Sequence, residues 1–185
     1  MASDVGGLRQ YMQPLDLVSH PEPKTILDYW RQHRIDTVVY PFAWVQGSQK
    51  HQLTWQSVRF TEANRNSISP SRGIYAFVVR IDAASLPHHS YVVYIGITGD
   101  KRDRTLRDRY GDYLRDRRLG SKRPRLKEMF ELWGDHLDFW YCPLPDRSVD
   151  LSELEKDLCT AILPPLVEDD FHQEFKASIK LLRTN

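Results

Sequence analysis

Two stretches, Ile74–Ile81 and Tyr91–Thr98, are rich in apolar β-branched and aromatic residues, and a polar connection, Asp82–Ser90, separates them. That pattern predicts two strands joined by a loop. Side chains alternate along a strand, so Tyr75, Phe77 and Val79 share one face of the first, and Val92, Tyr94 and Gly96 share one face of the second. If antiparallel pairing lays those faces together, two phenol hydroxyls point into one region and Gly96 leaves backbone room beside them.

Before this pair, Pro21 and Pro23 precede a helical spacing over Lys24–Arg34. Thr37–Val45 and Gln52–Phe60 read as strands, with Gly47-Ser48 and Glu62–Arg72 supplying turns. Trp44 and Trp55 read as packing residues. Residues 1–20 have little periodicity and read as a tail or irregular arm. After the pair, Leu106, Tyr110, Tyr113 and Leu114 form a helical stripe between Arg104 and Arg118. Arg123–Trp133 reads as a second helix stopped by Gly134, and Leu137–Cys142 as a third core strand. Asp150 and Glu153 form a capping-box pattern that starts a helix running to about Leu163, where Pro164-Pro165 ends it. Phe171, Phe175, Ile179 and Leu182 predict a C-terminal helix.

Composition narrows the class. The chain has 185 residues, 41% hydrophobic and 28% charged, which suits one domain with an extension. No apolar run reaches the roughly twenty residues that span a bilayer, and Met1–Gln13 lacks the apolar core of a signal peptide. Two cysteines, Cys142 and Cys159, make neither a disulfide framework nor a Cys-based zinc site. A cytoplasmic protein with no membrane partner is expected.

Charge is unevenly spread. The whole chain carries +1, yet Lys101–Lys127 holds twelve Lys and Arg against four Asp. Lys101, Arg102, Arg104, Arg107, Arg115, Lys122, Arg123 and Arg125 are the candidate phosphate-backbone contacts in that segment. The bland alternative is a solvated helix laced with ion pairs. Arg109 borders the apolar stripe, so its guanidinium needs an anionic partner, either a phosphate or a structural carboxylate. Glu155 falls inside the stripe of Leu151, Leu154, Leu158 and Ile162, so it is paired, with Arg109 for example, bound to a cation, or set at the rim of a cleft. Glu153, Lys156 and Asp157 read as outward, solvated charges, His136 as a surface residue, and His88-His89 as part of the inter-strand loop with no metal assigned.

Gly73-Ile74-Tyr75 and Tyr94-Ile95-Gly96, Leu106-Arg107-Asp108-Arg109 with Tyr113 four residues on, and Glu155 with Pro164 nine residues on occur in one order. This set resembles the signature of the GIY-YIG nuclease family over roughly Arg72–Asp169. The resemblance implies a small α/β domain: a three-stranded, mainly antiparallel sheet flanked by helices. It divides the chain into an N-terminal extension over residues 1–70, a nuclease-like domain over 71–170 and a C-terminal helix over 171–185. It further implies a metal-dependent endonuclease that hydrolyses phosphodiester bonds in DNA, of restriction, defence or structure-specific type, with RNA kept open. Tyr75, Tyr94, Arg109, Tyr113 and Glu155 would be catalytic, with Glu155 the single protein ligand of Mg²⁺, or of Mn²⁺. Arg104 is the alternative to Arg109. Two positions depart from the family pattern: Val167 stands where it has asparagine, and Ile97 where several members have lysine. Those departures favour the competing class, a non-cleaving nucleic-acid-binding or protein-interaction module. Monomer and homodimer both stay open.

Overall fold

The computed structural model describes residues 23–81 and 87–184. The expected tail over residues 1–20 and most of the connection between the two central strands lie outside the described residues. Four strands, β1 (Gln56–Arg59), β2 (Gly73–Ile81), β3 (His89–Thr98) and β4 (Leu137–Pro143), form one antiparallel sheet in the order β1-β4-β2-β3. The expected three-stranded sheet is therefore wrong by one strand. β1, assigned above to an extension, pairs with β4 as an outer strand. Two arginines help hold it there. Asp138 on β4 is buried and pairs with Arg59 of β1 at 3.3 Å and Arg80 of β2 at 3.0 Å.

Helices α1 (Pro23–Gln32) and α2 (Pro41–Lys50) precede the sheet, and α3 (Leu106–Leu119), α4 (Pro124–Trp133), α5 (Leu151–Ile162) and α6 (Gln173–Thr184) are interleaved with or follow it. The α2 segment corrects the expected strand over Thr37–Val45. Pro41 supplies a helix-compatible first residue, and the contact that decides the matter is distant in sequence. Gly47, expected in a turn, lies where α2 crosses α5, and a β-carbon there would sit 3.1 Å from Ala161 Cβ.

Each face of the sheet is covered. Tyr75, Phe77, Val79, Phe139 and Tyr141 pack under α3 and α4, with Phe60 and Ile68 closing the layer. Ile74, Ala76, Val78, Ile95 and Cys142 pack under α5, Val167, Phe171 and α6. Both cysteines are buried and free.

The pairing of β2 with β3 contains a bulge. Tyr75 faces Gly96, Ala76 faces Ile95 and Phe77 faces Tyr94, but Val78 faces Val92, leaving Val93 as the extra residue. Tyr94 and Gly96 therefore share the face of Tyr75, as expected. Val92 does not: the bulge turns it to the other face, opposite Val78, which corrects the simple alternation.

The segment between β1 and β2 fixes α3. The Leu106 amide donates to Ser71 O at 2.8 Å. The Arg107 guanidinium donates to Ile68 O at 2.9 Å and Asn66 O at 3.0 Å. The Tyr110 hydroxyl accepts from the Thr61 amide at 2.9 Å and donates to Thr61 O at 2.7 Å. A capping box of Thr105 and Asp108 starts the helix.

Candidate active site

Tyr75 is central on β2 and fully buried, and its ring lies across Gly96. A β-carbon on Gly96 would sit 2.6 Å from Tyr75 Cζ, so only a residue without a side chain lets the phenol occupy this place. The Tyr75 and Tyr113 hydroxyls are 2.9 Å apart. Arg109 Nε donates to the Tyr75 hydroxyl at 3.0 Å, and its guanidinium carbon stands 4.7 Å from the Tyr113 ring centroid. Arg123, from the start of α4, approaches the same ring at 5.4 Å. The Tyr94 ring lies 6.4 Å from those of Tyr75 and Tyr113. The structure thus brings Tyr75, Tyr94, Arg109 and Tyr113 into one cluster.

Arg109 is half-buried, and among the described residues no carboxylate lies within ion-pair distance of it. The structural pairing of Arg109 with Glu155 is not formed. Arg104 instead forms an ion pair with Asp112, whose other oxygen takes Arg115 at 2.8 Å. Of the two candidate arginines, Arg109 is the one hydrogen-bonded to Tyr75.

No hydrogen bond or ion pair joins Glu155 to the cluster among the described residues, and Arg109 bears on its carboxyl only through space. Leu154 and Leu158, neighbours of Glu155, pack on the sheet face opposite Tyr75. β3 is an outer strand, and the Ile97 backbone on it is among the groups that bear on the Glu155 carboxyl. The two sheet faces meet around that strand. Burial pushes the Glu155 carboxyl up to about 8, the Asp170 and Asp100 carboxylates add to the rise, and the Ile97 backbone and Arg109 act against it. Among the described residues, Asp170 and Asp100 bear on Glu155 through space and do not form a ligand set with it, so a divalent cation here would have Glu155 as its one protein carboxylate.

Burial holds the Tyr75 and Tyr94 phenols neutral, pushing both well above the ordinary tyrosine range, and Arg109 only partly counters it. With the protein groups alone, these phenols orient and donate rather than accept a proton.

The chain matches no protein-family model, no curated protein and no solved structure.

The remaining basic residues divide into two groups. Arg107 is spent on the backbone of residues 66 and 68, Arg123 pairs with Asp116 at 3.1 Å, and Arg125 with Glu168 at 2.9 Å. Lys101, Arg102 and Lys122 are exposed and make no ion pair among the described residues. No helix of the described residues is long and apolar enough to cross a membrane.

A second cluster was missed in the sequence. Glu153, Asp157 and His172 form a compact group that could hold a divalent metal ion, with one ligand atom from each within 4.8 Å of the others. Asp157, read above as a solvated charge, is a hub. It receives hydrogen bonds from Lys50, His51 and His172. Burial would raise its carboxyl, but those three bonds outweigh burial and hold it at about 2. The i,i+4 spacing of Glu153 and Asp157 was a visible signal; His51 and His172 become neighbours only in the fold. Asp170 and Asp100 were likewise missed, and no motif marks them.

Proposed function

We propose that the chain is a divalent-metal-dependent endonuclease that hydrolyses phosphodiester bonds in DNA, of restriction, defence or structure-specific type. The observation that carries this reading is Arg109. A half-buried guanidinium seated on two phenols, with no carboxylate paired to it among the described residues, is a receptor for an anion. A scissile phosphate has the charge and the oxygens to complete it. The resemblance of the two tripeptides, the helical arginine and the glutamate to the GIY-YIG signature supports the same assignment.

Arg109 holds the phosphate and stabilises the charge that develops on it. Tyr75 and Tyr113 fix the guanidinium from behind, and Tyr94, the least buried of the three phenols, orients water or substrate at the mouth. Glu155 is the protein ligand for Mg²⁺ or Mn²⁺, with Asp170 and Asp100 adding negative potential. When bound, the ion supplies Lewis-acid stabilisation of the leaving oxygen.

The test is cleavage of plasmid and oligonucleotide DNA with Mg²⁺ or Mn²⁺, comparing the wild type with Arg109→Ala and Glu155→Gln. Cleavage that falls at least a hundredfold in both variants is expected. Wild-type turnover in Arg109→Ala would overturn the assignment of that residue. A second reading, binding without cleavage, is favoured by the neutral state of the Tyr75 and Tyr94 phenols, which removes both as bases beside Arg109. DNA retention with no cleavage under either metal would select it.

A further inference from the structure

We propose that His51, Asp157 and His172, with Glu153 as a further donor, form a site for a borderline transition-metal ion of the Zn²⁺ type, and that this ion clasps α2 and the approach to α6 onto α5. The site is separate from Glu155 and does not depend on the nuclease reading.

Three chain segments meet there. Glu153 and Asp157 lie one turn apart on α5, His51 is the residue that ends α2, and His172 immediately precedes α6. His51 Nε2 lies 2.7 Å from Asp157 Oδ2, His172 Nε2 lies 2.8 Å from Asp157 Oδ1, and His172 Nδ1 lies 4.0 Å from Glu153 Oε1. Glu153, Asp157 and His172 already satisfy the mutual distances of a ligand set. Both imidazoles address the same carboxylate, so a small rotation of either ring places its nitrogen on an ion held by Asp157.

The donor chemistry selects the ion. Two imidazole nitrogens with one or two carboxylates suit Zn²⁺ and its neighbours, whereas Mg²⁺ prefers an all-oxygen shell and retains its water. One protein group competes for the place: the Lys50 ammonium, 2.7 Å from Asp157. It supplies the positive charge that the carboxylate otherwise lacks. Its side chain is half exposed, so it can swing into solvent when an ion arrives.

The fold gives such a fastener something to hold. No residue of α2 is buried, and Phe42, Trp44 and Val45 remain exposed. The helix lies over an apolar cleft of about 760 Å³ between α5 and the sheet, and His51 stands among the residues that line it. A cross-link from His51 to α5 supplies the attachment that burial does not.

The test is titration of the full chain with Zn²⁺, followed by calorimetry and thermal unfolding, with Mg²⁺ in parallel. One Zn²⁺ per chain is expected, with Tm raised by about 5–10 °C in a hundredfold excess over Kd, and no displacement by millimolar Mg²⁺. His172→Ala and His51→Ala should each weaken Zn²⁺ at least tenfold. Lys50→Met should strengthen it, because it removes the competing cation; a hydrogen-bonded hub without a metal role would only lose stability in that variant. Glu155→Gln should leave Zn²⁺ affinity unchanged, which separates this site from the proposed active site. Limited proteolysis should cut within 41–50 more slowly when Zn²⁺ is present. Equal Zn²⁺ affinity in the wild type and both histidine variants, or no Zn²⁺ binding in either the wild type or Lys50→Met, would overturn the proposal.

Discussion

At the scale of single residues, the Tyr75 ring and the vacancy at Gly96 are one feature. The phenol needs the space above β3 in order to meet Arg109 and Tyr113. Gly96→Ala should therefore cost about 1–3 kcal/mol, as overpacking in a close-packed core does, and should break the Tyr75–Arg109 bond. Urea unfolding measures the first effect. An unchanged midpoint would mean that Tyr75 can move aside freely. Glu155 makes a prediction of opposite character. Its carboxyl titrates near 4.5 when unfolded and at about 8 when folded, so the folded chain holds the extra proton between those values. Stability from this group is fully present below about 4.5 and is lost as pH rises through 8. With EDTA present, the wild type should lose a few kcal/mol between about pH 5 and about pH 8.5. Glu155→Gln should flatten that slope, and parallel slopes in the two proteins would count against the burial of the carboxyl.

At the scale of elements, α3 is the positioning device, and the segment between β1 and β2 is its mount. Tyr110→Phe removes the hydroxyl that both accepts from and donates to Thr61. It should cost about 1–3 kcal/mol, because backbone groups beside the core are left unpaired, with a lowered urea midpoint as the readout. The helix stripe of Leu106, Tyr110, Tyr113 and Leu114 was legible because its spacing matches one buried face. So were β2 and β4, which are long, and the Asp150 cap, whose side chain accepts from Glu153 N at 3.0 Å. The α2 helix was not legible. Its β-branched and aromatic residues carry a strand preference, and the contact of Gly47 with Ala161 that overrides it is more than a hundred positions away in the chain. β1 was seen as a strand but not as part of the sheet, since four residues do not announce a partner. The bulge at Val93 was hidden because the residue is as apolar as its neighbours.

At the scale of the whole molecule, the excess of positive charge over residues 101–127 is mostly committed to the fold. Arg107 holds backbone, while Arg104, Arg115, Arg123 and Arg125 hold carboxylates. Of the eight candidate contacts, those left for a phosphate backbone are chiefly Lys101, Arg102 and Lys122. Replacing those three with Gln should reduce the slope of log K against log salt for duplex DNA by about three, without changing Tm. Arg107→Gln should do the reverse. A slope insensitive to the triple replacement would move the binding surface elsewhere. The phenol and guanidinium half of the candidate site was readable from local spacing, because Tyr75 and Arg109 each sit on a regular element. The acidic half was only partly so: Asp170 and Asp100 join Glu155 solely through the way the chain wraps the sheet.

That wrapping has one more effect. β3 is an outer strand, and an outer strand offers unpaired amides and carbonyls to any other chain it meets. Here the Leu166 amide donates to Val93 O at 3.0 Å, and the Ile97 backbone bears on the nearby Glu155 carboxyl. We expect the Glu155 side chain also to guard against self-association. An alanine at position 155 removes the carboxyl from beside Ile97 and invites a second chain to pair along the strand. Glutamine keeps an acceptor near that backbone, so size-exclusion chromatography should show oligomers for Glu155→Ala and not for Glu155→Gln.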